Sequence, residues 1–263
     1  MLRNIFQKTL FERRSQAVIW IISITGFSIL ILSLFPTFRD TFGEALQNVP
    51  EDLRNLMGDA SAYRTIEGYI DTVLFSRIVF LALILGIVAA NGLLSAEEGD
   101  GRLQTLLAQP VSRNSVYWQK YLGLSIFILT ALIGMVFGTV LGTLVIGEIS
   151  NVDYPRLLSG VLMVWLLTMT FASLAFCIGG LRKGPSGLIT GLLAFTLFLI
   201  DSLAGTATAL KSINNFSPFK YFNDPGIMQF GINWRHAALL AAGSIVLAII
   251  GWAVFVRRDV YPR

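Results

Sequence analysis

Six stretches of this chain contain no Asp, Glu, Lys, Arg or His: residues 17–35, 78–94, 121–146, 157–181, 184–200 and 237–256. Each has the length of a membrane-crossing helix, for which about 20 apolar residues suffice. The pattern predicts an all-α polytopic membrane protein with six transmembrane helices, both termini cytoplasmic, and additional amphipathic interfacial helices. Composition agrees, because only 14% of the 263 residues are charged and 54% are apolar, whereas soluble domains carry about 25% charged residues. The first run is read as a membrane anchor and not as a cleaved signal. Its 19 bulky residues exceed a usual signal core, and Pro36-Thr37-Phe38-Arg39-Asp40 offers no small-x-small cleavage site.

Charge between the runs sets the expected orientation. With both ends inside, the cytoplasmic segments hold 12 of the 20 Lys and Arg residues in little more than half the length of the outer segments, which hold eight. Acidic residues run the other way, 11 outside against five inside. The formal +4 thus separates into +7 inside and −3 outside. This asymmetry accounts for the basic character without nucleic-acid binding, since no basic patch is interleaved with stacking aromatics. The expected setting is the plasma (inner) membrane of a prokaryote.

Residues 1–16 are expected to form a cytoplasmic amphipathic helix, with Leu2, Ile5, Phe6 and Leu10 on one arc and Arg3, Lys8, Glu12, Arg13 and Arg14 around it. Residues 17–263 then form one six-helix domain, with a cytoplasmic loop at 95–120 and outer loops at 36–77 and 201–236. The outer loops are too short to bury a sizeable core. A short helix is predicted after Pro50, with Glu51 and Asp52 in its first turn and Gly58 as its stop.

The motif inventory excludes several chemistries. Cys177 is the one cysteine and His236 the one histidine, so an intrachain disulfide and a Cys- or His-pair metal site both lack ligands. No Gly-x-Ser-x-Gly elbow is present, and Gly180-Leu181-Arg182-Lys183-Gly184 lacks the Lys-Ser/Thr of a P-loop. No catalytic residue, metal ligand or cofactor is therefore assigned to this chain. With no ionisable residue inside the uncharged runs, a self-powered carrier is disfavoured, because proton and ion relays need buried carboxylates, His or Lys. Asp201 and His236 fall at outer boundaries, and their roles stay open. Asn91, the one carboxamide within a run, is read as interhelical glue.

Glycines mark packing faces. Gly134, Gly138 and Gly142 recur every four residues, and Gly187 and Gly191 repeat the spacing. Each set offers a smooth face to another helix, either of this chain or of a second copy. Thr25, Ser28, Thr139, Thr143, Thr168, Thr170, Ser173, Thr190 and Thr196 are expected to bond their own helix backbones.

Chemistry concentrates in the loop after the second run. Leu103, Leu106 and Leu107 have helical i, i+3, i+4 spacing, Glu98 stands four residues before Arg102, and Pro110 ends the helix before Ser112 restarts the chain. A short amphipathic helix tied by charges to the membrane face makes a lever through which a partner can tilt two spans.

At this loop the chain resembles the membrane subunits of ABC-2 type exporters. The matching residues are Glu97-Glu98, Gly101-Arg102, Leu106-Leu107-Ala108-Gln109 and Pro110-Val111-Ser112-Arg113, followed by Lys120. Arg102 departs from the Thr common in the family. Ile66-Glu67-Gly68-Tyr69-Ile70 and Ser217-Pro218-Phe219-Lys220-Tyr221-Phe222 add weaker matches. The resemblance implies a permease subunit that is not itself an enzyme, working as a homodimer on a separate cytosolic ATPase dimer that carries ATP and magnesium. It assigns the coupling role to Glu97, Glu98, Arg102, Leu103, Leu106, Leu107, Pro110 and Arg113. The exporters take lipids, polysaccharides, antibiotics or ions, and the substrate site is left unassigned. A subunit that transmits the ATPase cycle to an envelope enzyme or sensor, moving no substrate, is the alternative, and the short outer loops favour transport.

Overall fold

The computed structural model describes residues 4–45, 64–181, 184, 186–204, 208–222 and 226–258. These described residues contain no strand. Six helical stretches are long and apolar enough to cross a membrane: Ile5–Thr41, Ile66–Gly99, Arg113–Val145, Tyr154–Leu181, Ser186–Leu203 and Trp234–Arg257. Their alternation brings both described ends, Asn4 and Arg258, to one face. That face is termed inner, after the Lys/Arg asymmetry, and the opposite face outer.

The first stretch comprises α1 (Ile5–Ser33) and α2 (Phe35–Ala45). The N-terminal segment expected as a separate interfacial helix is the first part of α1. Asn4 caps it, its side chain accepting from Gln7 N at 2.8 Å, and neither Gly nor Pro interrupts the chain before Gly26. The second stretch starts at α3 (Ile66–Tyr69), passes through a π-helical segment (Ile70–Phe75), and continues as α4 (Ser76–Leu93). It thus begins 12 residues ahead of the uncharged run. Two short inner helices follow, α5 (Ser95–Gly99) and α6 (Arg102–Leu107), then α7 (Arg113–Val145) and α8 (Tyr154–Leu181). Beyond them come α9 (Ser186–Leu203), α10 (Thr208–Asn214), a 3-10 turn at Pro218–Tyr221, α11 (Ile227–Phe230) and α12 (Trp234–Arg257). The helix predicted at 50–58 and the pair Arg182 and Lys183, expected on the cytoplasmic side, lie outside the described residues.

The helices outrun the uncharged sequence at their ends and take charged side chains with them. Asp71 is 2% exposed and Lys120 2% exposed, both within these stretches. The expectation that charge stays out of the spanning elements therefore applies to the apolar runs and not to the helices. An ionised side chain is tolerated at a helix end where a partner compensates it.

Packing follows the small residues. α8 is the central helix, contacting α4, α7, α9 and α12, with Phe171, Ala172, Ala175 and Phe176 enclosed. α1 lies along α7 in close backbone contact. A Cβ on Gly134 would fall 2.5 Å from the Ile21 carbonyl oxygen, and one on Gly138 would fall 2.5 Å from Ser28 Cβ; Gly142 meets Leu32 and Ile29. The glycine face on α7 is occupied by α1 of the same chain. On α9, Gly187 packs against Asn91, but Gly191 has nothing within 4 Å and stands beside exposed Leu188, Leu192 and Phe195.

Hydroxyls divide more evenly than expected. Ser28, Thr139, Thr143 and Thr196 donate to carbonyls one turn back in their own helices. Thr25 instead donates across to Gly134 O at 3.0 Å, Ser173 shares a bond with the Tyr121 hydroxyl, and Thr170 reaches Ser244 and Leu240 on α12 as well as its own backbone. Thr168 and Thr190 have buried hydroxyls with no hydrogen-bond partner.

Candidate functional site

Two regions at opposite ends of the bundle collect polar side chains. At the inner end, the loop after α4 does not form the single helix expected. It splits into α5 and α6 at Gly101, whose φ of +76° lies in the left-handed region that glycine enters freely. The split redirects the carboxylates. Glu98 does not pair with Arg102; it is buried and accepts from Arg258 Nη2 at the end of α12. Arg102 is exposed and donates to Asp100 at 2.6 Å, and this contact raises the guanidinium pKa above its ordinary value.

Glu97 pairs with Lys120 Nζ from α7, and the same ammonium donates to Leu93 O at 3.0 Å. Arg113 donates to the carbonyls of Val256, at 3.4 Å, and of Arg258. Arg13 on α1 donates to Ala89 O at 3.2 Å, and Phe6 N–H donates to Gln119 Oε1 at 3.0 Å. The loop is therefore tied to α4, α7 and α12, and α1 is tied to α4 and α7 beside it.

These ties sort the expected coupling residues. Glu98 and Leu103 are buried, Glu97, Leu106, Leu107 and Arg113 are half-buried, and Arg102 and Pro110 are exposed. The surface presented at the inner tip is Asp100, Arg102, Thr105, Ala108, Gln109 and Pro110. Ser112 caps α7 by accepting from Ser115 N at 3.2 Å, so the next long helix starts within three residues of Pro110.

At the outer end, Asp71 sits in the π-helical segment, and its carboxylate accepts from Met228 N at 2.9 Å and from Gln229 N at 3.3 Å. Arg156 on α8 donates to the carbonyls of the same two residues, at 2.9 and 3.0 Å. The four-residue α11 is clamped between a carboxylate at its amides and a guanidinium at its carbonyls. Gly226 lets the chain approach, since a Cβ there would lie 2.6 Å from Asp71 Oδ2. Tyr69 anchors the neighbouring turn by donating to Ile31 O at 3.0 Å, between the rings of Phe35 and Phe38.

The 217–222 segment packs against α8, α9 and α12. Buried Ser217 donates to Leu197 O at 3.3 Å, and Phe219 stacks against Phe171 and Phe198 with centroids 5.3 and 5.8 Å away. Beneath it opens a crevice of about 700 Å³ between α4 and α9, lined by Arg77, Phe80, Phe198, Asp201, Asn214 and Lys220 among others. His236 stacks edge-on against Tyr221, 5.2 Å between centroids, with Nδ1 buried and unbonded.

Residues 9–256 match the family model described as the multidrug efflux system permease Rv1217c, C-terminal domain. The chain belongs to this permease family. The match spans all six membrane-crossing stretches apart from their extreme ends. A comparison with curated proteins found no match.

Within the permease, sequence reasoning misses Asp71, Arg156 and Arg258. The first two read as outer-loop charge and the third as cytoplasmic charge. Asp71 carries a usable signal, four residues after Glu67 on a segment whose Ile66, Tyr69 and Ile70 have helical spacing. Asn91 serves the packing role expected of it: its Oδ1 accepts from Ser186 Oγ at 3.0 Å and from Gly187 N at 3.1 Å, capping the first turn of α9 from a neighbouring helix.

Proposed function

We propose that this permease is the membrane subunit of an ABC-2 type exporter, driven by a separate cytosolic ATPase that binds ATP and magnesium, in a prokaryotic plasma membrane. The observation that carries this reading is the inner loop: its tip is exposed while its base is held by ion pairs to α7 and α12. A force applied at 100–110 passes into three membrane helices through largely buried ion pairs, and not through a flexible connector. The family's efflux permease supports outward transport of small molecules. Exposed α9, with unpacked Gly191 between Leu188 and Leu192, is the smooth face offered to a second copy in a homodimer.

The geometry changes which residues test coupling. Reversal of Glu97 or Glu98 would break an internal ion pair, so loss of an ATPase after that change would not distinguish coupling from misfolding. Arg102→Glu and Gln109→Arg change only the exposed tip. The expected outcome is that the wild-type chain copurifies with an ATPase and stimulates it, and that the tip double variant inserts normally but loses both. Retention of both by the tip variant would refute the coupling assignment.

A further inference from the structure

The outer crevice between α4 and α9 is built with two chemistries at two depths. Arg77 immediately precedes the uncharged run 78–94 and Asp201 immediately follows the run 184–200, so both mark the outer ends of uncharged runs. Three residues further into each run, Phe80 and Phe198 meet edge to face at 4.7 Å and form an aromatic floor. Lys220 joins the polar rim from the 217–222 segment. A second recess of about 480 Å³ adjoins the crevice, shares Asp201, Asn214 and Lys220 with it, and adds Lys211.

The rim charges are not used internally. Among the described residues, Arg77, Asp201 and Lys220 form no ion pair. Arg77 donates to Val73 O and Ser76 Oγ, and Lys220 to Asn215 Oδ1, both neutral acceptors. Asn214 Oδ1 is buried with no donor. Two cations, one carboxylate and one unsatisfied acceptor thus border a cavity with an apolar floor. An anion alone would meet Asp201, and a cation alone would meet Arg77 and Lys220.

We propose that this crevice binds a zwitterionic phospholipid of the outer leaflet, of the phosphatidylethanolamine type. Its phosphate lies between Arg77 and Lys220, its ammonium is held by Asp201 and Asn214 Oδ1, and an acyl chain runs over Phe80 and Phe198. This site goes beyond the transport reading and does not depend on it, because occupancy requires neither an ATPase nor a substrate.

The test is native mass spectrometry of the full chain released from nanodiscs containing equal amounts of phosphatidylethanolamine and phosphatidylglycerol with identical acyl chains. The wild type is expected to retain the ethanolamine lipid over the glycerol lipid by about threefold, the scale of one interfacial ion pair. Asp201→Asn, nearly isosteric, is expected to bring the ratio to one. Arg77→Gln with Lys220→Gln is expected to lower both adducts, and Phe80→Ala to lower both without changing their ratio. Equal retention by the wild type, a preference for phosphatidylglycerol, or an ethanolamine preference that survives Asp201→Asn would each overturn the proposal.

Discussion

The two ends of the bundle treat charge in opposite ways. At the inner end, Glu97 and Glu98 are each matched by a cation from a different helix, Lys120 and Arg258, and both pairs are largely shielded from solvent. At the outer crevice, Arg77, Asp201 and Lys220 line one cavity and form no ion pair among the described residues. Paired charge brought out of water mainly fixes geometry, since desolvation consumes most of the Coulomb gain. Unpaired charge around a cavity keeps its interaction energy for something outside the chain. The inner end is thus held in place by its own charges while the outer crevice leaves its charges free, and the Asp71–Arg156 clamp on α11 follows the inner logic at the outer end.

The sharpest way to break this contrast is at Lys120. Lys120→Met leaves Glu97 without its cation and Leu93 O without its donor, and breaking such a pair costs about 3–5 kcal/mol. A large fall in melting temperature in detergent is expected, and adding Glu97→Gln should recover much of it. If the single variant melts like the wild type, the inner ion pairs are not a structural lock. Next in size is Asp71→Ala. It strips the acceptor from the Met228 and Gln229 amides, and unsatisfied buried donors cost about 1–3 kcal/mol. Hydrogen exchange at 227–230 should accelerate well before the inner helices respond. Uniform acceleration through the whole bundle would show that the clamp does not act locally.

How much of this is legible in the sequence depends on whether one residue type or two distant positions carry the signal. Six apolar runs predict six spans because hydropathy is local. The glycine repeat predicts close packing because the absence of Cβ is also local, although that α1 fills the α7 face is decided by tertiary packing. The inner loop is legible as amphipathic, but helical spacing assigns Glu98 to the nearest cation, Arg102. Gly101 permits the turn that breaks that spacing, and the real partners of Glu97 and Glu98 lie 23 and 160 residues away. The second span starts earlier than the uncharged run because Asp71 and Arg77 read as loop charge, whereas distant amides and local carbonyls satisfy them.

A smaller effect separates the two glycine faces. Gly138→Ala puts a methyl 2.5 Å from Ser28 Cβ and 2.7 Å from the Thr25 carbonyl oxygen, and overpacking of this kind costs about 1–3 kcal/mol. Gly191→Ala meets nothing within 4 Å and should leave the melting temperature of the isolated chain unchanged or slightly raised, since Ala is the better helix former. A marked loss of dimer in Gly191→Ala, with monomer stability retained, would assign that open face to a second copy. Equal destabilisation by both substitutions would contradict the intrachain packing of α1 on α7.

The smallest expected effect on the fold is at Arg102, and it is the most informative about function. Its guanidinium is exposed and pairs with the equally exposed Asp100, and such surface pairs contribute little because water screens both charges. Arg102→Glu should therefore melt with the wild type, in contrast to Lys120→Met, even though both residues belong to the same inner face. If ATPase association is lost in Arg102→Glu while melting is unchanged, the loop divides into a buried base that fixes position and an exposed tip that meets the partner. If association survives Arg102→Glu with Gln109→Arg, the tip is only a connector, and the buried ion pairs beneath it hold α4, α7 and α12 together for reasons of stability alone.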